Sequence, residues 1–340
     1  MRLESVWVDT AIWAGYMIFG LILFLFTLCL VRDAILLALL MVDRIRTRFR
    51  PQTPPVRPAV AWAGKTARAT NVLILAFSIM LCVLGVFQAR QVPDVRTVTL
   101  SLSKLDPALN GLRLVQLTDL HIGPTIRESW LEKVVERTNE LEPDLVAITG
   151  DLVDGPVERL AEELRPLADI KAELGTFIVT GNHEYYSDAL PWIEALRKMG
   201  LVVLMNEHAV VEKNGGVLVV AGVTDLQAGR FDPDQRSDPA RAVDGAPEQA
   251  AKILLAHQPK TALQAVGLGY DLQVSGHTHG GQFFPGTILV HLFQPFVAGL
   301  HQVGDMLLYV SRGTGYWGPP LRIGSPSEIT LFVLHAPEAD

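Results

Sequence analysis

The chain has 340 residues, with 36 acidic side chains against 29 basic ones, a formal net charge of −7 and 49% hydrophobic residues. The acidic balance argues against a nucleic-acid groove as its main business. Its two cysteines, Cys29 and Cys82, lie inside apolar segments and belong to no spaced thiol motif, so neither a disulfide framework nor a thiolate metal site is expected.

The apolar residues gather at the N-terminus. Residues 11–30 carry no charge, and 69–89 form a second charge-free stretch; each is long enough to cross a hydrocarbon core as a helix. A buried core helix is the alternative for either. A signal peptide fits the first less well, because Trp7, Trp13 and the second apolar stretch suit a retained anchor. Arg32 and Asp33 interrupt the pattern. "AILLALLMV" (34–42), too short to span alone, extends the first helix past the interface, lies along the membrane surface or completes a third crossing. Residues 43–70 hold seven basic side chains and one acid, Asp43, around the proline-rich "RPQTPPVRP". The expected organisation is a transmembrane segment with its extension over 1–43, a basic loop over 44–68 against anionic headgroups on the cytoplasmic side, a transmembrane helix over 69–90 and a large domain over 91–340.

That domain alternates. "TVTLSL" and "LRLVQL" read as strands, "ESWLEKVVERTNEL" as a helix, "DLVAIT" as a strand, "PVERLAEELRPLADI" as a helix, "LGTFIVTG" as a strand and "DALPWIEALRKM" as a helix. "VVLM", "AVVE", "VLVVAGV", "AKILLAHQP", "YDLQVSG", "TILV", "MLLYVSRG" and "ITLFVL" then read as strands. Such an order predicts an α/β domain of layered sheets covered by helices. Residues 230–249, charged and turn-rich, read as a surface loop that could border a site.

Five apolar strands break off into polar clusters. They deliver Asp119 with His121, Asp151, Asn182 with His183, His257, and His277 with His279. Alternation along an extended segment would put Asp119 and His121 on one side, and likewise His277 and His279. Glycine directly precedes Asp151, Asn182 and His277, where it allows a sharp turn or a close approach to phosphate.

"DLH", "GDLVDG", "GNHEY", "AHQP" and "GHTHGGQ", in this order, resemble the signature blocks of the calcineurin-like metallophosphoesterases, and the last is similar to the form in their membrane-associated or exported bacterial branch. The resemblance covers about residues 95–335. It implies a four-layer α-β-β-α sandwich and two divalent ions bridged by Asp151. Asp119, His121 and His279 would complete one metal site, and Asn182, His257 and His277 the other. His183 would contact the substrate phosphate or protonate the leaving group. A bacterial inner or cell membrane, crossed more than once, with the catalytic domain outside the cytoplasm, is the expected location.

The chemistry of the donors agrees. Two divalent ions about 3.5–4 Å apart can hold an anionic ester, generate a metal-bound hydroxide to attack phosphorus, and stabilise the leaving oxygen. Carboxylate, amide and imidazole donors suit Mn²⁺, Fe²⁺ or Zn²⁺; Mg²⁺ suits so many imidazoles less. The expected function is a membrane-anchored phosphohydrolase acting on a phosphodiester, phosphomonoester or pyrophosphate, with the bilayer and a phosphorylated small molecule or lipid as partners and no nucleic acid. A non-catalytic metal-binding scaffold is the alternative; a metal-dependent amidase or peptidase is a further one, without an "HExxH". Arg312, Tyr316, Trp317 and Arg322 in "SRGTGYWGPPLR" either bind an anionic substrate or pack the loop. Phe283, Phe284, Phe293 and Phe296 either form a rim against lipid or pack ordinarily. His208 and His335 read as structural, and His291 and His301 flank the phenylalanine-rich loop.

Overall fold

The computed structural model describes residues 2–49 and 65–337. Residues 50–64 of the predicted basic loop lie outside the described residues. Helix α1 (Arg2–Phe49) is one continuous helix, so 34–42 prolong the first apolar stretch. Arg32 does not break it, because its guanidinium is held by Asp33 at 2.7 Å and by Asn71 of α2 (Lys65–Ala89). Both helices are long and apolar enough to cross a membrane. They run antiparallel: Arg32 meets Asn71, Gly20 and Gly85 flank the same Leu321, and Arg90 lies 5.9 Å over the Trp13 ring.

Strands β1 (Asp94–Ser101), β2 (Leu112–Leu117), β3 (Leu145–Thr149), β4 (Thr176–Val179) and β5 (Val202–Val203) belong to one sheet. The other contains β6 (Glu207–Lys213), β7 (Gly216–Gly222), β8 (Ala251–Leu255), β9 (Leu272–Ser275), β10 (Gly299–Val303) and β11 (Met306–Val310). The last strand, β12 (Glu328–His335), returns to the first sheet, giving the orders β1-β12-β2-β3-β4-β5 and β10-β11-β9-β8-β7-β6. The central runs β2-β3-β4 and β7-β8-β9 are parallel. Their continuous apolar sequences follow from this, since central parallel strands are covered on both faces.

Leu114, Leu145 and Phe177 of one sheet meet Leu218, Ile253 and Leu272 of the other in a core between them. Helix α3 (Glu128–Asn139), the short α4 (Val157–Leu160), α5 (Asn182–Tyr186) and α6 (Ala189–Lys198) lie along the first sheet. There Leu131 and Trp192 pack with Val146 and Ile178. Ala242 and Ala262, on short helices, cover Leu254 and Leu308 of the second sheet. The architecture is therefore α-β-β-α.

Several segments differ from expectation, among them Pro239–Val243, a short helix inside the expected loop 230–249, and Gly299–Val303, a strand not read from the sequence. Only the start of 156–170 is α-helical; Ala161–Asp169 tightens into 3₁₀ turns around Pro166, which has no N–H and would clash with a helical carbonyl four residues back. The run 287–290, "TILV", is not a strand. It forms a short helix, Gly286–Leu289, and a 3₁₀ turn, Val290–Leu292. Strand propensity reflects a fit to a pleated, half-buried surface, and here Ile288 and Leu289 face outward without a sheet to pack on.

The helical pair is docked on the large domain. Leu321, fully buried, fills the groove between the two glycines: a Cβ on Gly20 would stand 2.5 Å from its Cδ1, and one on Gly85 2.9 Å from its Cδ2. Arg322 N–H donates to Gly85 O at 3.1 Å, and Phe283 meets Phe24 edge-on at 5.6 Å. Leu321→Ala should leave a cavity costing about 2–5 kcal/mol. Chemical unfolding of the full chain in detergent should show the lower midpoint, and protease should cut the connection near residue 91 faster.

Candidate metal centre

The C-terminal ends of β2, β3 and β4 in one sheet and of β8 and β9 in the other meet at a common edge, the usual place for a site in parallel sheets. The polar residues do not lie on the strands themselves. β2 stops at Leu117 and β9 at Ser275, and the chain then turns through the left-handed region at Asp119 (φ 54°), His121 (50°), Asp151 (53°), His277 (70°) and His279 (51°). Each such non-glycine residue costs of order 1–3 kcal/mol and persists only where its surroundings over-determine it. The shared side of Asp119 and His121 thus comes from paired turns and not from a pleat. His277 and His279 join different clusters for the same reason.

Three clusters of potential ligands result: Asp119, His121 and His279; His121, Asp151 and His183; and Asp151, His257 and His277. The clusters share His121 and Asp151 and so form one centre that holds six of the seven candidates for a metal; Asn182 lies between Gly181 and His183, whose backbones touch the Asp151 carboxylate. His279 Nε2 is 3.4 Å from Asp119 Oδ1 and 3.2 Å from His121 Nε2. His257 Nε2 is 3.2 Å from both Asp151 Oδ2 and His277 Nδ1.

The local chain explains this convergence. His277 N–H donates to both oxygens of Asp119, at 3.0 and 3.1 Å. His183 N–H donates to Asp151 Oδ1 at 2.9 Å. A Cβ on Gly276 would land on the Asp119 carboxylate, and one on Gly181 on the Asp151 carboxylate. These two glycines make room for a carboxylate, where the sequence suggested room for phosphate. Glu184, missed as a site residue, accepts from Gly181 N–H, Asp151 N–H and Leu152 N–H at 2.6–2.9 Å and so clamps the loop carrying Asp151. Burial, with the charge of Asp151, pushes Glu184 up to about 7 against the pull of those amides.

Electrostatics fit a cation. Burial alone would lower His121, but Asp154, Asp151 and Asp119 push it up to about 9. Burial would likewise raise Asp151, yet His257, His121 and His183 hold it below the usual range. His277 is pushed down to about 3 by burial and by His257, which leaves it neutral with a free lone pair. His257 Nδ1 donates to Thr149 O at 2.8 Å, and although burial would lower it, Asp151, Asp119 and Asp225 hold His257 well above the usual imidazole range. The buried carboxylates thus draw positive charge to the space between them, from protons on His121 and His257 or from a cation in their place. Asn182 Oδ1 adds a buried acceptor with no hydrogen-bond partner, which an amide-oxygen ligand would satisfy. The residues fit divalent cations.

Asp154 is the second residue that sequence reasoning missed. One oxygen, Oδ1, accepts from His121 Nδ1 at 3.0 Å and from His183 Nδ1 at 2.6 Å, turning both Nε2 atoms inward. It stood in "GDLVDG", but its partners are 33 and 29 residues away: the bridge between Ile122 and Val153 brings His121 to it, and the pairing of β3 with β4 brings His183.

The loop 311–322 divides. Trp317 is exposed, its ring 6.0 Å from that of His183, and Tyr186 lies 5.2 Å away on α5. The other three are engaged within the protein, Arg312 while still partly exposed. Arg322 is fully buried, its guanidinium spent on the carbonyls of His279, Arg312 and Gly315. Tyr316 is buried with its hydroxyl on Thr125 O, and Arg312 is paired with Glu328 at 3.2 Å. They hold the loop over the end of β2, where Thr314 N–H and Gly315 N–H donate to Thr118 O and Asp119 O. His208, His301 and His335 bond to Ala242 O, Ala298 O and Asn110 Oδ1, outside the centre. Phe231, at the start of the expected surface loop, reaches Tyr186 at 5.9 Å and so borders it.

The family model for calcineurin-like phosphoesterases matches residues 112–281, the span from β2 through His279. An uncharacterized metallophosphoesterase of Campylobacter jejuni is 38% identical over 292 residues, covering 82% of this chain and 75% of that protein. The chain belongs to the calcineurin-like phosphoesterase family. Proteins named "transmembrane protein with metallophosphoesterase domain" are 44% identical over 272 residues in Danio rerio and 38% over 275 in Bos taurus; each comparison covers 78% of this chain and 62% of the relative. The chain thus spans about three fifths of those two animal relatives. For this phosphoesterase, Asp154→Asn is expected to weaken binding of Mn²⁺ or Zn²⁺ about 10–100-fold. Titration calorimetry on the metal-stripped full chain measures it, and unchanged affinity would reduce Asp154 to a space-filler.

Proposed function

We propose that this protein is a membrane-anchored phosphohydrolase that uses two divalent cations, Mn²⁺, Fe²⁺ or Zn²⁺, to cleave a phosphodiester, phosphomonoester or pyrophosphate. The observation that carries the reading is Asp151 set between two imidazole clusters, with the unpartnered Asn182 Oδ1 beside it. Asp119, His121 and His279 would hold one ion and Asn182, His257 and His277 the other, with Asp151 shared. When bound, the ions supply charge for the phosphoryl oxygens and the acidity that makes hydroxide available near neutral pH.

The chain's own part begins with position. Glu184 fixes the Asp151 backbone, and Asp154 holds His183 by its Nδ1–H, leaving Nε2 to face the centre 3.9 Å from Asp151 Oδ2. From there the doubly protonated His183 would give its Nε2 proton to the leaving oxygen as the P–O bond breaks and the oxygen of water bonds to phosphorus; the proton the water loses passes to solvent and restores His183 for the next turnover. Trp317 and Tyr186 wall His183 on the outer side and limit water there.

The antiparallel helices support two crossings, with Arg44, Arg46 and Arg48 on the cytoplasmic side and the phosphoesterase domain on the other.

The full chain in detergent, stripped of metal and resupplied with Mn²⁺, Zn²⁺, Fe²⁺ or Mg²⁺ in turn, should regain hydrolysis of p-nitrophenyl phosphate or its bis ester. His183→Ala should keep its metal and lose about 10²–10⁴-fold in kcat. Metal binding without turnover on either ester would favour a scaffold.

A further inference from the structure

The level of the membrane surface can be located on this fold. On the water side, Asp9 of α1 pairs with Arg127 and Arg159 of the large domain. On the lipid side, Leu321 sits between Gly20 and Gly85. Gly85 lies four residues inside the end of α2 at Ala89, about 6 Å along the axis at 1.5 Å per residue. Between these limits come Trp13 under Arg90, and Tyr16 4.0 Å from the Cβ position of Gly318. That is the composition of a headgroup belt. A cleft of about 260 Å³ beside Arg90 is lined also by Lys133 and Trp130, with Arg127 there engaged by Asp9 and Glu163; Arg90 and Lys133 suit anionic headgroups.

Trp317 precedes Gly318 and stands beside His183, so the metal centre opens at this level. From Phe283 the chain enters an apolar projection. Phe283 touches Phe24 of α1, and its carbonyl accepts from Thr287 N–H at 3.3 Å in the short helix that follows. Ile288 is 62% exposed, Leu292 74%, Phe293 71% and Trp317 54%. No Asp, Glu, Lys or Arg occurs between Gln282 and Leu300. An uncharged projection with outward apolar side chains, continuous with a helix long enough to span a bilayer, is costly in water.

We propose that Ile288, Leu289, Leu292 and Phe293, with Trp317, insert into the bilayer that holds α1 and α2, and that the substrate is a phosphoester in the headgroup of a lipid of that leaflet. The substrate half rests on the hydrolase reading above; the insertion does not. A lipid there would present its phosphate to His183 without leaving the membrane, its acyl chains beside the projection.

The test uses the full chain reconstituted in phosphatidylcholine vesicles. A fluorophore on Phe293→Cys is compared with one on Val210→Cys, an exposed position on edge strand β6, and the labelled wild type gives the background from Cys29 and Cys82. Nitroxide-bearing lipids should quench the probe at 293 and not that at 210; equal quenching overturns the insertion, and a cross-link between two copies through 293 would assign the patch to a dimer instead. In parallel, phosphatidyl-p-nitrophenol in the vesicles and soluble bis-p-nitrophenyl phosphate offer the same leaving group. The double variant Leu292→Ser, Phe293→Ser should lose about tenfold on the lipid and nothing on the soluble ester. Equal loss on both, or none, overturns the lipid substrate. A wild type inactive on both diesters but active on p-nitrophenyl phosphate overturns the lipid substrate and leaves the hydrolase reading standing; inactivity on all three with metal bound sinks both, while the quenching still decides the insertion.

Discussion

Everything near the centre answers to two buried carboxylates. Asp119 and Asp151 lie out of water where the sheets meet, and buried charge is tolerated only when it is compensated. Backbone amides of His277 and His183 reach them directly, and imidazoles surround what remains. Reaching that arrangement requires strand ends from two sheets to close on one another without side chains between them. The glycines at 181 and 276 and the left-handed turns at five polar residues are the structural consequence. The strain is carried by the sandwich core, whose strands leave each turn little freedom.

A second constraint comes from the N-terminal helices. They are not a tether hung on a separate domain, since Leu321, Phe283 and the backbone of Arg322 reach into their groove. The same loop supplies Trp317 to the rim and Arg322 to the carbonyls around His279. The helix groove and the centre therefore share one packed segment, with Leu321 in the groove and Arg322, the next residue, on the carbonyl of His279.

Much of the site was legible because its chemistry is written at strand ends. An apolar run that stops at Asp, His or Asn is visible without coordinates, and five such runs in order are specific. Asp154 was not legible as the joint acceptor for His121 and His183, because that role depends on a bridge to the His121 segment and on the β3–β4 pairing that places His183, each joining segments about 30 residues apart in sequence. Arg322 misled for the opposite reason. An arginine in a glycine-rich loop looks available to an anion, but whether it meets solvent or carbonyls depends on how the loop folds back.

The apolar helices, the α/β alternation and the donor types at the centre can be read from residue order, because periodicity and residue chemistry are local properties. Which imidazole joins which carboxylate, the coiling of 287–290 and the seating of the helices beside the metal centre emerge with the folded chain. Those outcomes turn on contacts between distant segments: whether a neighbouring strand exists to pair with, how closely two backbones can approach, and which groove a leucine can fill.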